Sequence, residues 1–273
     1  MLPQVISTAV LTELAWIIRA RRSLILTGAG VSTDSGIPDY RGPQGSLKRR
    51  KPITYSEFMR NEEARRRYWA RSAVGWPVIT SVRPNLAHRF VASMESSGLA
   101  TGVVTQNVDG LHQQAGSQRV VELHGTLHRV VCLDCGALES RRILQERMLR
   151  ENPEWDRWQA EEAPDGDAEL PAELTRRFKL PSCTRCGGVV KPDVVFFGEN
   201  VPAQRVGEVF ALVERSEALV VLGSSLTVYS GYRFVDRATK RGIPVAILSL
   251  GETRGDPVAS LKIDAPLKEV LPE

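Results

Sequence analysis

Apolar residues recur along this chain in two alternating rhythms. Leu11, Leu14, Ile17 and Ile18 fall at helical spacing behind Ser7-Thr8 as a cap, which predicts a packing helix over Ala9–Ala20. The Leu- and Ile-rich run from Leu24 predicts a strand that breaks at Gly28-Ala29-Gly30. Ser56–Arg71 has helix-forming composition, and a second helix begins at Pro84, carries Leu86, Phe90, Val91 and Met94, and stops at Ser97-Gly98. Short β-branched runs predict strands at Thr101–Thr105 and Val120–Leu123. After Pro192 the same alternation predicts strand Val194–Phe197, helix Ala203–Arg215 and strand Ala218–Leu222. A second small-residue turn, Gly223-Ser224-Ser225, follows, then a helix near Tyr232–Arg241 and strand Val245–Leu248. Strands alternating with helices, with two Gly/Ser turns at strand ends, predict an α/β fold. Its doubly wound parallel sheet would bind a nucleotide across the switch point.

Between these halves the pattern changes character. Cys132 and Cys135 form one C-x-x-C, Cys183 and Cys186 another, and the 47 residues between them, which contain an acidic, Trp-bearing stretch from Glu151 to Glu173, read as an excursion rather than core. These four are the only cysteines in the chain. Two C-x-x-C pairs supply the four thiolates of a closed tetrahedral zinc site, which leaves no position open for water and makes the metal structural.

Length and composition narrow the picture. At 273 residues the chain suits one large α/β domain carrying a smaller one, and 42% hydrophobic with 25% charged residues excludes neither a sizeable core nor ordinary folding. No run approaches a transmembrane span, and Glu13 interrupts the first helix where a secretory signal would be apolar, so a cytoplasmic protein in a reducing compartment is expected. The net charge of +4 is too mild to imply nucleic-acid binding. It is unevenly spread: Arg41, Lys48, Arg49, Arg50, Lys51, Arg60, Arg65, Arg66, Arg67 and Arg71 face only Glu57, Glu62 and Glu63. Such a run is either a solvated face or a surface for an anionic ligand.

The first glycine turn can bring backbone close to a pyrophosphate, and equally it can be an ordinary strand-to-helix connection. The G-x-G-x-x-G fingerprint of dehydrogenases fails at Thr33, and the chain is basic around Lys48–Lys51 where that fingerprint wants an acid, so hydride transfer is disfavoured. Gln106, Asn107 and Asp109 sit at a strand's C-terminal end, where α/β sheets bind ligands. His124 follows another strand beside Gly125, near the joint between lobes, where a base titrating near neutral pH is useful. His88 fits a structural role inside a helix; His112 and His128 stay unassigned by position.

The motifs GAGVSTDSGIPDYR, TQNVDGLHQQAG, ELHG, the two C-x-x-C pairs, KPDVVFFGE and LGSSLTVYS stand in this order. In them the chain resembles the sirtuin family over nearly its whole length. QERMLRENPEWD, EEAPDGDAEL, RYWARSAVGWP and GSSLTVYSGYRF are most similar to the class II branch, which includes a mitochondrial member. The resemblance implies an NAD-consuming protein-lysine deacetylase or deacylase. It implies a Rossmann-like domain of residues 1–41, 80–128 and 190–273, with a smaller domain made of a lid loop and helical module (42–79) and a zinc-binding module (129–189). Position by position, it implies that Gly28, Ala29, Gly30 and Ser32 hold the pyrophosphate side. Asp39, Tyr40 and Arg41 would shape the lid and nicotinamide pocket, and Gln106, Asn107 and Asp109 would line the nicotinamide and its ribose. Gly223, Ser224, Ser225, Ser249, Leu250, Gly251 and Leu267 would contact the adenosine half. Val195, Phe196, Gly198 and Glu199, facing Val228 and Tyr229, would clamp an acyl-lysine protein or peptide between two strand-like edges.

The implied chemistry is loss of nicotinamide, attack by the acyl carbonyl on the ribose, and transfer of the acyl group to ADP-ribose. Nicotinamide and O-acyl-ADP-ribose are released, with His124 as the base that activates a ribose hydroxyl; Asn107 and Asp109 complete the expected catalytic set. NAD is a consumed co-substrate, and one structural Zn²⁺ is the remaining cofactor. Two positions depart from the family pattern: Ser249 where Asn is usual, and Ser230 where Pro is frequent. Tyr68 and Arg71 match the Y-x-x-R spacing with which some sirtuins hold an acidic acyl group, and equally that of a structural surface pair. Protein mono-ADP-ribosyl transfer, and lipoamidase or acidic-acyl specificity, are the alternatives on the same fold.

Overall fold

The computed structural model describes residues 7–20, 22–40, 52–157 and 170–272. Helix α1 (Thr8–Ala20) leads into strand β1 (Ser23–Thr27), after which come α2 (Tyr55–Arg60), α3 (Glu62–Ser81), α4 (Leu86–Ser96), β2 (Ala100–Thr105), α5 (Leu111–Gln114) and β3 (Val120–Glu122). The chain continues through β4 (Gly125–Cys132), β5 (Leu138–Ser140), α6 (Arg141–Glu151), α7 (Ala172–Thr175) and β6 (Val190–Val194). It closes with α8 (Ala203–Glu214), β7 (Ala218–Leu222), α9 (Tyr229–Lys240), β8 (Val245–Leu248), β9 (Leu261–Ile263) and α10 (Leu267–Val270).

Six strands form one sheet in the order β3-β2-β1-β7-β8-β9, with every neighbouring pair parallel. Helices cover both faces, so β1, β2, β7 and β8 are buried at every position, which explains why they read as continuous apolar runs rather than alternating ones. The strand order reverses at the β1–β7 pair, the switch point of a Rossmann-like sheet.

The smaller domain is built on a second sheet, antiparallel, in the order β5-β4-β6. Here the sequence expectation needs correcting. The strand expected over Val194–Phe197 lies instead at Val190–Val194 and pairs with β4, so residues 125–128 and 190–194, expected with the large domain, join the small sheet. Gly125 makes this junction possible. Its φ of +82° suits glycine, and a Cβ there would overlap the carbonyl oxygen of Asp193 on the partner strand.

The single helix expected over Ser56–Arg71 is two. Asn61 turns extended, ends α2, and caps α3 by accepting from the N–H groups of Glu63 (2.8 Å) and Ala64 (3.2 Å). Helix α3 then runs ten residues past the expected end, because Ser72, Ala73, Val74, Gly75, Trp76 and Ile79 are all buried.

The helical and cysteine-bearing parts share one core. Phe58, Trp69, Leu144, Met148, Phe178 and Cys132 pack in one cluster with Trp155, which is 1% exposed and lies edge-on to Phe178. The insert read as an excursion therefore supplies core through Leu144, Met148, Trp155 and Phe178. Arg141 is buried as well, with its guanidinium over Trp76 and bonded to Ser72 Oγ (3.1 Å) and Gln145 Oε1 (2.7 Å), joining α6 to α3. Its acidic remainder (158–169), the expected lid residues 42–51 and the basic Arg41, Lys48, Arg49, Arg50 and Lys51 lie outside the described residues. Among the described residues no helix is long and apolar enough to cross a membrane.

Candidate functional site

A cavity of about 1000 Å³ opens at the switch point, between the parallel sheet and the small domain. Two turns form its floor. The backbone N–H groups of Gly28 and Gly30 donate to the carbonyls of Leu222 (3.1 Å) and Gly223 (2.9 Å). A Cβ on Gly30 would come within 2.9 Å of Gly223, and one on Gly28 within 2.7 Å of Ser224 Cβ, so the glycines let the β1 and β7 turns interlock. Ala29, Ser224 and Ser225 line the cavity beside them, as do Asp39, Tyr40, Ser249, Leu250, Gly251 and Leu267.

His124 stands on the far wall, half-buried in the tight turn between β3 and β4. Its Nδ1 is 3.0 Å from the Gln106 carbonyl oxygen, which can only accept, so Nδ1 carries the proton of the neutral ring. Nε2 is then the free base; it lies 2.8 Å from Ser230 Oγ, whose hydroxyl donates to it. Burial lowers the His124 pKa to about 4. Ser230 belongs to the first turn of α9, whose positive end also disfavours an imidazolium. The ring is thus an oriented, neutral proton acceptor across the pH range of ordinary solution.

Behind the wall lies a second layer. Asp109, 4% exposed, accepts from Ser32 Oγ (2.7 Å) and from the N–H of Leu111 (3.0 Å), and Asn107 Nδ2 donates to Ser32 Oγ (3.0 Å). Asn107 lines the cavity, whereas Ser32 and Asp109 do not. Burial raises the Asp109 pKa. His88 and His112 sit deeper, with ring centroids 4.9 Å apart, and burial holds them neutral at about 3 and about 4. His128 lies 2.9 Å from the Asp109 carbonyl oxygen through Nε2 and fixes that loop. The histidines other than His124 are therefore structural.

The expected substrate edges divide. Val195, Phe196 and Gly198 line the cavity, and the N–H of Val195 donates to the His124 carbonyl (2.8 Å). Glu199 lines it too, but its carboxylate turns inward, accepting from the N–H of Phe196 (2.8 Å) and pairing with Lys191 Nζ (3.0 Å). Lys191 is buried, donates also to the Val194 carbonyl (2.5 Å), and lies 4.7 Å from the Phe196 ring centroid. On the opposite side Val228 is extended, whereas Tyr229 is not strand-like: it opens α9. Phe197, Val228, Tyr229 and Leu250 are large apolar side chains left exposed around the rim. Tyr68 is buried against Phe58 and Phe196 and lines the cavity; Arg71 does not, so the Y-x-x-R pair is not presented to it as a unit.

The four cysteines converge away from this cavity, with ligand atoms all within 4.8 Å of one another. Cys132 and Cys186 sulfurs are 3.5 Å apart, and those of Cys135 and Cys183 3.8 Å. Four sulfurs at 2.3 Å from a tetrahedral ion stand about 3.8 Å apart, so the set fits a closed zinc site and not disulfides.

A sequence profile of the Sir2 family matches residues 28–230. The chain belongs to the Sir2 family. It is 53% identical over 264 residues to NAD-dependent protein deacetylase 1 of Streptomyces coelicolor, spanning 97% of this chain and 88% of that protein. It is 49% identical to the mitochondrial NAD-dependent protein lipoamidase sirtuin-4 of Bos taurus, over 94% of this chain and 82% of that one. A solved Sir2 complex with a p53 peptide and NAD+ superposes with a TM-score of 0.74 at 31% identity, covering 95% of this chain and 94% of the other. Another, holding deacetylated p53 peptide and 3'-O-acetyl ADP-ribose, gives 0.76 at 32%, with 95% and 94% covered.

Within this sirtuin fold the structure adds residues that motif reading did not assign to the site. Ser230 was visible only as a departure from the family's proline, and Arg233 not at all, since its place in the cavity depends on how α9 turns after Tyr229.

Proposed function

We propose that this chain is an NAD-dependent protein-lysine deacylase that cleaves NAD and transfers the acyl group to ADP-ribose, releasing nicotinamide and O-acyl-ADP-ribose. The observation that carries the reading is the pair of His124 contacts at the cavity wall: Nδ1 3.0 Å from the Gln106 carbonyl oxygen, which leaves the proton on Nδ1, and Nε2 2.8 Å from Ser230 Oγ as the acceptor. The relatives named as deacetylases, and the Sir2 complexes with NAD+ and peptide, support it.

NAD supplies the glycosidic bond that breaks and the ribose that receives the acyl group. His124 takes the proton of a ribose hydroxyl at Nε2, and its fixed Nδ1 bond keeps the ring aimed during that transfer. Asn107, oriented through Ser32 and Asp109, presents its amide at the nicotinamide end. The main chain of Val195 and Phe196, with Val228 across the mouth, is the place for an extended acyl-lysine peptide. Apolar rim residues shield the site from water that would intercept the reaction. Four reduced cysteines in a closed metal site suit a cytoplasmic setting.

The test is incubation with acetyl-lysine peptide and NAD, following nicotinamide and deacylated peptide together. The two should appear in equal amounts, and His124→Ala should lose roughly 10²–10⁴-fold in deacylation rate. Deacylation that persists without NAD, or is unchanged in His124→Ala, overturns the reading.

A further inference from the structure

Among the described residues that line the cavity, one is a lysine or arginine: Arg233. It leaves α9 three positions after Ser230 and four after Tyr229, so the three side chains share one helix face. Its guanidinium lies over the Tyr229 ring, 5.2 Å from the centroid, and its buried Nε has no hydrogen-bond partner among the described residues. No carboxylate among the described residues pairs with it. The other cations buried near the site are satisfied differently: Lys191 is paired with Glu199, and Arg141 is bonded to Ser72 and Gln145. A guanidinium held by an aromatic ring, facing a cavity and lacking a protein acceptor, is preorganised for an anion from outside.

Its position says which ligand brings that anion. Gly231, on the opposite face of α9, packs against Gln106, which bonds Ser224 in the glycine-turn floor. Arg233, two positions further on, leaves the helix on the side opposite Gly231, beside Ser230 and the exposed Tyr229 of the rim. Arg254 adds a second positive charge there, stacked 4.4 Å from the Tyr232 centroid and 5.6 Å from that of Tyr229. We propose that Arg233 forms a carboxylate-binding subsite for the acyl-lysine substrate, so that the enzyme favours substrates carrying a negative charge beside the reacting lysine. The inference rests on the deacylase reading. The carboxylate comes either from the end of the acyl chain or from an acidic side chain flanking the lysine.

Three peptides separate these sources: acetyl-lysine in a neutral sequence, glutaryl-lysine in the same sequence, and acetyl-lysine flanked by glutamates. For each, kcat/KM and calorimetric binding affinity are measured with the wild type, Arg233→Gln and Arg233→Lys. One acidic peptide should lose about ten- to hundredfold relative to the neutral peptide in Arg233→Gln, the size of a lost charge-assisted bond, with Arg233→Lys in between. Loss confined to the glutaryl peptide assigns the acyl chain, and loss confined to the glutamate-flanked peptide assigns the flanking residue. Ratios that stay within twofold for both overturn the proposal. So does a rise in the KM for NAD that is equal for all three peptides, which would assign Arg233 to the dinucleotide. If no peptide is deacylated by the wild type, the deacylase reading fails, and the binding ratios still decide the subsite.

Discussion

Ser230 Oγ stands 2.8 Å from His124 Nε2, so the lone pair that must accept a ribose proton is already engaged by the protein. A substrate hydroxyl therefore competes with Ser230 for the same atom. Replacing Ser230 with Ala removes a competing bond of about 0.5–1.5 kcal/mol while Nδ1 stays anchored on Gln106. Steady-state kinetics should show kcat/KM for NAD rising roughly two- to tenfold. A fall beyond tenfold would make Ser230 a relay between ribose and imidazole instead.

The low pKa of His124, about 4, places the acid limb of the reaction. The base form persists as pH falls through the usual histidine range, so kcat should be level from pH 7 to pH 5 and decline only nearer 4. An acid limb centred on 6.5, the unperturbed value, would show that the buried environment is not sustained in the complex.

Stability should respond to pH through the buried pair behind the site. His88 and His112 are held at about 3 and about 4, against 6.5 unfolded, by burial. Between these limits this pair alone binds up to two more protons in the unfolded chain than in the folded one. Stability is then full above pH 6.5 and lost as pH falls, with a slope approaching about 2.7 kcal/mol per pH unit. Urea midpoints that do not move between pH 6.5 and 5 would contradict this.

Removing the metal should disturb the catalytic cleft as well as the cysteine module. Cys132 and Cys183 lie in the same core as Tyr68 and Phe196, which line the cavity. Elemental analysis should find one zinc per chain. Cys132→Ser should lose the metal, the near-ultraviolet dichroism and peptide affinity together. A metal-free preparation with native dichroism would overturn the structural role.

Lys191 and Glu199 offer a test by charge removal. Lys191→Met leaves the Glu199 carboxylate with Phe196 N–H alone and should cost about 3–5 kcal/mol in denaturant unfolding. The double change with Glu199→Gln should recover part of that loss, because no unpaired charge is left. A double variant as unstable as the single one would count against pairing as the cause.

Which parts were legible in the sequence follows from where the information sits. Strands β1, β2, β7 and β8 are buried on both faces and announce themselves as apolar runs, and the cysteines declare their geometry by spacing. The edge strand β9, three residues long, carries too little pattern to stand out. The α2–α3 break was encoded in Asn61-Glu62-Glu63, a capping sequence hidden inside a helix-forming composition. Val190–Val194 misled because it pairs with β4 rather than with the parallel sheet, a long-range choice that local pattern does not carry. At the site, motif order brought His124, Gln106, Asn107 and both turns to one cavity. It could not separate wall from support: Ser32 and Asp109 lie one layer back, and Glu199 spends its carboxylate on Lys191.

The interlocked turns set how such a molecule can diversify. Gly28, Gly30 and Gly223 touch so closely that any added side chain meets the facing backbone or Ser224, so single substitutions there separate the halves of the sheet before they alter specificity. The floor is therefore mutationally frozen. New preferences can be acquired from the rim and α9, where Phe197, Val228, Tyr229 and Leu250 are exposed and Arg233, among the described residues, is held by one aromatic ring. Descendants of this chain that act on different acyl groups would share one floor and differ in their walls.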